Sequence, residues 1–232
     1  MLSSQFILPI ADELVVDLFA GGGGASTGIE QAIGRHVDIA INHDLEAVAL
    51  HAMNHPQTQH FVSDVFEVDP RQVTEGRPVG LLWASPDCKH FSKAKGGKPV
   101  SKKIRSLAWV VVKWARLVAP RVIFLENVEE FQTWGPLAAN GRPCPDRKGL
   151  TFRRWVRELQ REGYAVEWRE LRACDFGAPT TRKRLFLTLR HGRRTLRVVV
   201  PVCITGPCWL DVGLRPAGAA PTQRSLLGAA AA

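Results

Sequence analysis

Leu14-Val15-Val16-Asp17-Leu18-Phe19-Ala20-Gly21-Gly22-Gly23-Gly24-Ala25-Ser26-Thr27-Gly28 is an apolar run closing on an acid and an aromatic, followed by four glycines in a row. The run predicts a buried strand from Leu14 to Phe19, and the glycines predict a tight turn into a helix that continues to about Ile33. Such a turn lets backbone approach a ligand where any Cβ would obstruct it, which fits a nucleotide-like cofactor. No Gly-Lys-Ser or Gly-Lys-Thr follows, so a Walker-type phosphate loop is excluded.

Further along, apolar runs alternate with helical periodicity, the pattern of parallel strands joined by crossover helices. Val37 to Ile41, Val79 to Ala84 and Arg121 to Glu126 are predicted strands. Asp44 is placed to cap a helix bearing Leu45, Val48, Ala49 and Ala52 that ends near Asn54 and Pro56. Ser101 is placed to cap another, with Ile104, Leu107, Ala108, Val111 and Ala115 at helical spacing. A third starts at Thr151, buries Phe152, Trp155, Val156 and Leu159, and stops at Gly163. Tyr164 to Glu170 and Leu185 to Leu189 are predicted strands, and Trp134 to Gly149, with three prolines, a loop. Beyond Arg190 the pattern stops, although Val198 to Ile204 has the character of one short edge strand. The expected fold class is therefore α/β, a doubly wound, mostly parallel sheet. One main unit over residues 1–190 is followed by an irregular basic, alanine-rich tail over 191–232.

With 232 residues, 45% of them hydrophobic, the chain can bury one substantial core. Five cysteines without metal-ligand spacing, and no apolar leader, point to a reduced, cytoplasmic protein with no metal site. The most apolar segment, Leu107 to Ala119, is too short for a bilayer and carries Lys113 and Arg116. The net charge of +9 suggests an anionic partner. Residues 89–105 concentrate it, with seven Lys or Arg and no acid. A solvated face and a phosphate-contacting loop both fit such a run.

Three more stretches carry chemistry. Ser85-Pro86-Asp87-Cys88-Lys89-His90-Phe91-Ser92 sets a thiol just past a predicted buried strand, where it is placed to attack. Leu125-Glu126-Asn127-Val128 ends another strand in a carboxylate, either a surface charge or an acid whose pKa desolvation would raise. Phe176-Gly177-Ala178-Pro179-Thr180-Thr181-Arg182-Lys183-Arg184 places two arginines two apart, on one side of a strand. They could equally belong to a salt-bridged surface strand.

Together and in this order, these motifs resemble the DNA cytosine-5 methyltransferases, in their phage and prophage variant, over residues 14 to about 190. The resemblance implies a Rossmann-like fold, S-adenosylmethionine as cofactor and restriction-modification as context. It implies that the Cys88 thiolate adds to carbon 6 of a cytosine flipped out of DNA, supplying the electron density that carbon 5 lacks. It makes Glu126 the proton donor to ring nitrogen 3. Arg182 and Arg184 then match the motif Gln-x-Arg-x-Arg, with Thr180 in place of Gln, and would hold the base and a nearby phosphate or orient Glu126. The implied cofactor set is Asp17, Phe19, Gly21, Gly22, Gly23, Gly24, Asp64, Val65 and Pro86. An acid usually holds the ribose at the end of strand two. Here His43 stands at that position and Asp44 one further on, and Asp44 serves as a helix cap or as a cofactor contact. Pro86-Asp87-Cys88 replaces the usual Pro-Pro-Cys; Asp87 should raise the thiol pKa and Lys89 oppose it. Lys89, Lys93, Lys95, Lys98, Lys102 and Lys103 would contact DNA phosphates.

The resembled family continues with a target-recognition region and a final helix beside the cofactor pocket. Residues 190–232 are too short for both, and the thirteen residues before strand one cannot hold a permuted copy of that helix. The expectation is a catalytic half, truncated or completed by a separate chain that supplies recognition. A folded inactive remnant and an RNA cytosine methyltransferase of the same architecture are the competing readings.

Overall fold

The computed structural model describes residues 10, 12–87, 107–138, 143–192, 199–201 and 209–211. Seven strands form one sheet in the order β3-β2-β1-β4-β5-β7-β6. They are β1 Leu14–Leu18, β2 Ile39–Asn42, β3 Gln59–Val62, β4 Val79–Ala84, β5 Val122–Asn127, β6 Tyr164–Arg172 and β7 Lys183–His191. The first five run parallel, and β7 joins antiparallel to both β5 and β6. The helices are α1 Gly24–Ile33, α2 Leu45–Asn54, α3 Pro70–Thr74, α4 Trp109–Val118 and α5 Leu150–Arg161.

Side chains alternate across β1, so it feeds two cores. Leu14, Val16 and Leu18 share one core with Val111 and Trp114 of α4 and Phe152, Trp155 and Leu159 of α5. Val15 shares the other with Ile29 of α1, Val37, Leu81 and Val122. Helices therefore cover both faces, as expected for a doubly wound sheet. The larger core is aromatic: Phe131 stacks on Trp134 and meets Phe152 and Trp155 edge to face. Two of its polar handles are satisfied, Trp155 Nε1 donating to the Ala108 carbonyl at 2.9 Å and the Tyr164 hydroxyl to the Pro120 carbonyl at 2.7 Å, whereas Trp114 Nε1 is buried without a partner among the described residues. Burial holds the Tyr164 phenol above its ordinary pKa.

The structure departs from the sequence expectations in several places. Strand β3 and helix α3 were not anticipated. β3 is a four-residue edge strand whose burial never reaches that of a core strand, and α3 is one short turn capped by Asp69. Val199–Pro201 does not extend the main sheet; it pairs with Trp209–Asp211 as a separate antiparallel ribbon. Helix α4 begins at Trp109, with Leu107 and Ala108 in the turn before it, whereas Ser101 and Ile104 lie outside the described residues. The proline-rich loop contains one bridge, Leu137 with Pro143, and a single 3-10 turn, Pro145–Arg147. Among the described residues no helix is long and apolar enough to cross a membrane.

Candidate functional site

The chain order reverses between β1 and β4, and ligands of open α/β sheets bind in the crevice at that switch point, outside the carboxyl ends of the strands. Four of the predicted elements leave the sheet there. In register, Leu18 lies beside Ile41 on one side and Ala84 on the other, and Ala84 lies beside Leu125. Phe19, Asn42, Ser85 and Glu126 thus follow one another along a single sheet edge.

The glycine turn is held from both sides. Ala20 donates its N–H to the Ile41 carbonyl at 3.1 Å, and Asn42 Nδ2 donates to the Ala20 carbonyl at 2.8 Å. These bonds fix Phe19 at φ 63°, a left-handed conformation that a bulky side chain keeps only when its surroundings impose it. The glycines divide into two kinds. At Gly23 (φ 100°) an added Cβ would lie 2.5 Å from His55 Nε2, so the protein itself requires glycine there; at Gly22 it would lie 2.7 Å from the tip of the exposed Leu50 side chain, which can move aside. At Gly21 and Gly24 a Cβ would meet nothing within 4 Å. Those two face the open side of the turn, where a ligand has room.

Asp17 lies on the α1 face of β1, only 1% exposed. Its Oδ2 accepts from the Ser26 hydroxyl at 2.8 Å, while its Oδ1 is buried without a hydrogen-bond partner. Desolvation raises its pKa to about 7, against smaller lowering effects from the Ser26 bond and the charge of His55. Asp64 opens the turn after β3, its Oδ1 accepting from Phe66 N–H at 3.0 Å. That turn is clamped by Lys113 of α4, whose Nζ donates to the carbonyls of Phe66 and Val68 at 2.9 and 2.6 Å. Val65 beside it is buried.

Of the two expectations for Asp44, the structure shows the cap. Its Oδ1 accepts from Glu46 and Ala47 N–H at 2.9 and 3.2 Å, at the start of α2. His43 is exposed, and the residue that ends β2 is Asn42. The strand ends on an amide that braces the glycine turn, and His43 and Asp44 follow directly after it.

At the end of β5, Glu126 is 22% exposed and pairs with Arg184 Nε of β7 at 2.8 Å. β7 lies directly beside β5, so the pair forms across the antiparallel ladder, the arrangement in which an arginine orients Glu126. Arg182 does not share the strand. It lies before β7, exposed, its N–H on the Thr180 hydroxyl at 3.2 Å and its carbonyl accepting from Ala173. The two arginines are thus separated, one on Glu126 and one on the surface.

Asn127, which carried no expected role, is the link between strand ends. It is buried, donates Nδ2 to the Pro86 carbonyl at 3.0 Å, and accepts Val128 N–H at 2.9 Å. Pro86 thereby reaches the edge that holds Glu126, two residues before Cys88. Cys88, Lys89, Lys93, Lys95, Lys98, Lys102 and Lys103 lie outside the described residues. Among the described residues no group of three His, Cys, Asp or Glu could hold a metal ion.

A family model of C-5 cytosine-specific DNA methylases matches residues 14–201. The type II methyltransferase M.NaeI of Lentzea aerocolonigenes is 32% identical over 174 residues, and M.DdeI of Desulfomicrobium norvegicum 29% over 174. These matches take in 75% and 74% of this chain but 38% and 39% of those proteins, so the chain spans about two fifths of the relatives' length. Among solved structures, a prophage-encoded candidate DNA modification methyltransferase from E. coli superposes with TM-score 0.61 at 23% identity, over 77% of this chain and 47% of that one. A DNMT2 variant of Spodoptera frugiperda superposes with TM-score 0.61 at 18% identity, over 79% and 51%. The structural likeness bears on the fold and the family model on descent: the chain belongs to the C-5 cytosine-specific DNA methylase family.

Proposed function

We propose that residues 1–190 carry the catalytic centre of a cytosine-5 methyltransferase acting on DNA, with S-adenosylmethionine as methyl donor. The observation that carries the reading is the joined edge of β4 and β5, where Asn127 holds Pro86 beside the Glu126–Arg184 pair, two residues from Cys88. The cofactor fits what the crevice offers: open space over Gly21 and Gly24, an unpartnered buried oxygen on Asp17 of β1, and the turn that Asp64 opens. Phe19, Asp64, Val65 and Pro86 would complete its binding set. Bound there, S-adenosylmethionine supplies a methyl group on a sulfonium centre.

The chain's own residues do the rest. The Cys88 thiolate forms a bond to carbon 6 of the cytosine while Glu126 delivers a proton to nitrogen 3, leaving an electron-rich enamine at carbon 5. After methylation of carbon 5, a solvent base takes the carbon-5 proton, the Cys88 thiolate leaves carbon 6 as the ring double bond re-forms, and nitrogen 3 returns its proton to Glu126. Arg184 orients the Glu126 carboxyl, and Arg182, exposed at the mouth, meets phosphate or base. The basic run 89–105 meets the DNA backbone, which carries no sequence information by itself. Sequence recognition is assigned to another segment or to a separate chain. The cytoplasm suits a nucleophile that must stay reduced.

The test is covalent trapping with 5-fluorocytosine in DNA and, separately, in RNA. DNA adducts formed by the native chain and abolished by Cys88→Ser support the reading. Adducts on RNA alone move the substrate to RNA, and adducts that persist in Cys88→Ser remove the nucleophile.

A further inference from the structure

Behind the glycine turn lies a line of polar side chains that the methyl-transfer chemistry does not use. The Ser26 hydroxyl of α1 donates to Asp17 Oδ2 at 2.8 Å, Ser26 Oγ lies 3.0 Å from His51 Nε2, and His51 Nδ1 lies 2.9 Å from His60 Nε2. His51, on α2, is fully buried; His60, on the edge strand β3, is only half-buried. A serine hydroxyl has one proton, and here it goes to Asp17. His51 must then donate from Nε2 to Ser26 and accept at Nδ1 from His60, so every donor in the line points toward Asp17.

We propose that His60, His51 and Ser26 form a proton wire through which the buried carboxyl of Asp17, under the cofactor turn, exchanges its proton with solvent. The transfer balances. A proton arrives at His60 Nδ1, His60 passes its Nε2 proton to His51 Nδ1, His51 passes its Nε2 proton to Ser26, and Ser26 passes its own to Asp17 Oδ2. Both imidazoles end neutral in the Nδ1–H tautomer, and Asp17 ends as a neutral acid. Deprotonation runs the line in reverse.

The neighbours keep the middle of the wire neutral. The His55 ring lies 4.6 Å from the His51 ring, with its Nδ1 on Glu30 Oε1 at 3.0 Å and its Nε2 on the Gly23 carbonyl at 3.1 Å. Burial above all, and then the coulombic effects of His55 and His60, disfavour a charge on His51, whose pKa is lowered to about 4. His60 is lowered as well, mainly by burial. The charge therefore resides on Asp17 or leaves to solvent, and His51 only relays it. A cationic ligand over the turn favours the ionised carboxylate, which links its binding to proton release; this consequence rests on the cofactor reading above, whereas the wire does not.

The experiment is a pH titration of the full chain by NMR, following the imidazole nitrogens of His51 and His60. Both rings are expected to switch together from Nδ1–H to Nε2–H as pH rises through the Asp17 transition near 7. In Asp17→Asn and in Ser26→Ala the His51 switch disappears. A single His51 tautomer between pH 5 and 8 in the native chain overturns the wire, as does a switch that survives in Asp17→Asn. Added S-adenosylmethionine should move the midpoint to lower pH. If the amide signals of Gly21 and Gly24 respond and the midpoint stays, the coupling is wrong. If neither responds, the cofactor assignment falls, and the pH titration still decides the wire.

Discussion

On the parallel side of the sheet, Asp17 is buried with one oxygen on Ser26 and the other on nothing. On the antiparallel side, Glu126 and Arg184 meet at 2.8 Å, each 22% exposed. Two carboxylates near the same sheet edge, with β4 between their strands, end up in opposite conditions because those strands have different neighbours. β1 lies between two parallel strands under a helix, where no lysine or arginine pairs with Asp17 among the described residues. β5 lies beside an antiparallel strand that brings an arginine alongside. The cofactor side stores the cost of a buried polar group, and the base side uses a half-buried, compensated pair. Substitutions should therefore separate into effects on stability and its pH dependence on one side, and effects on chemistry on the other.

The largest effect is expected at Glu126. Glu126→Gln keeps the shape and removes the acid, so adduct formation should slow by about 10²- to 10⁴-fold, the usual contribution of a general acid. The urea midpoint should hardly move. A large stability loss with a normal adduct rate would reverse the contrast between the two sides.

Asp17→Asn probes the other side, and its sign follows from linkage. A carboxyl raised from 3.8 to about 7 contributes stability that is present below its unfolded pKa and lost as pH rises through the folded one. The asparagine variant escapes that loss. Between pH 5 and pH 8 its stability should improve relative to the native chain by roughly 2.5 kcal/mol, measured by urea unfolding at both values. His51, lowered from 6.5 to about 4, acts in the opposite sense: its stability is present above pH 6.5 and lost as pH falls toward 4. The native chain should consequently show a flatter pH profile from 4 to 7 than Asp17→Asn, whose stability should rise with pH. Parallel profiles for the two proteins would refute the assignment.

Asn127→Ala sharpens the comparison from the middle. It strips the Pro86 carbonyl and Val128 N–H of a buried partner, which should cost about 1–3 kcal/mol. Adduct formation should fall more than that loss explains, because the Cys88 loop is no longer anchored to the Glu126 edge. The smallest effect is expected at Lys183, exposed between Glu129 and Glu170. Lys183→Ala should leave the unfolding midpoint within error, as surface ion pairs usually do.

Local pattern was enough to place most of this molecule. The apolar run before four glycines, the period-2 and period-3.6 patterns and the capping Asp44 locate β1, β2, α1, α2, β4, β5 and α5 within a few residues, because side-chain alternation and backbone freedom are properties of neighbouring residues. Glu126 and the glycine turn were legible for the same reason. What depended on the tertiary structure was every relation between distant segments. Short β3 and one-turn α3 carry too little periodicity to announce themselves, and the pairing of Val199–Pro201 is a choice among strands that sequence spacing does not encode. Asn127 next to Glu126 shows no sign that it will hold Pro86, 41 positions away. Arg182 and Arg184 look equivalent until the start of β7 puts only Arg184 on Glu126. His51, His55 and His60 are three separate histidines in the sequence. They become one network with Asp17 and Ser26 because parallel pairing brings β1, β2 and β3 into register and lays α1 and α2 beside them.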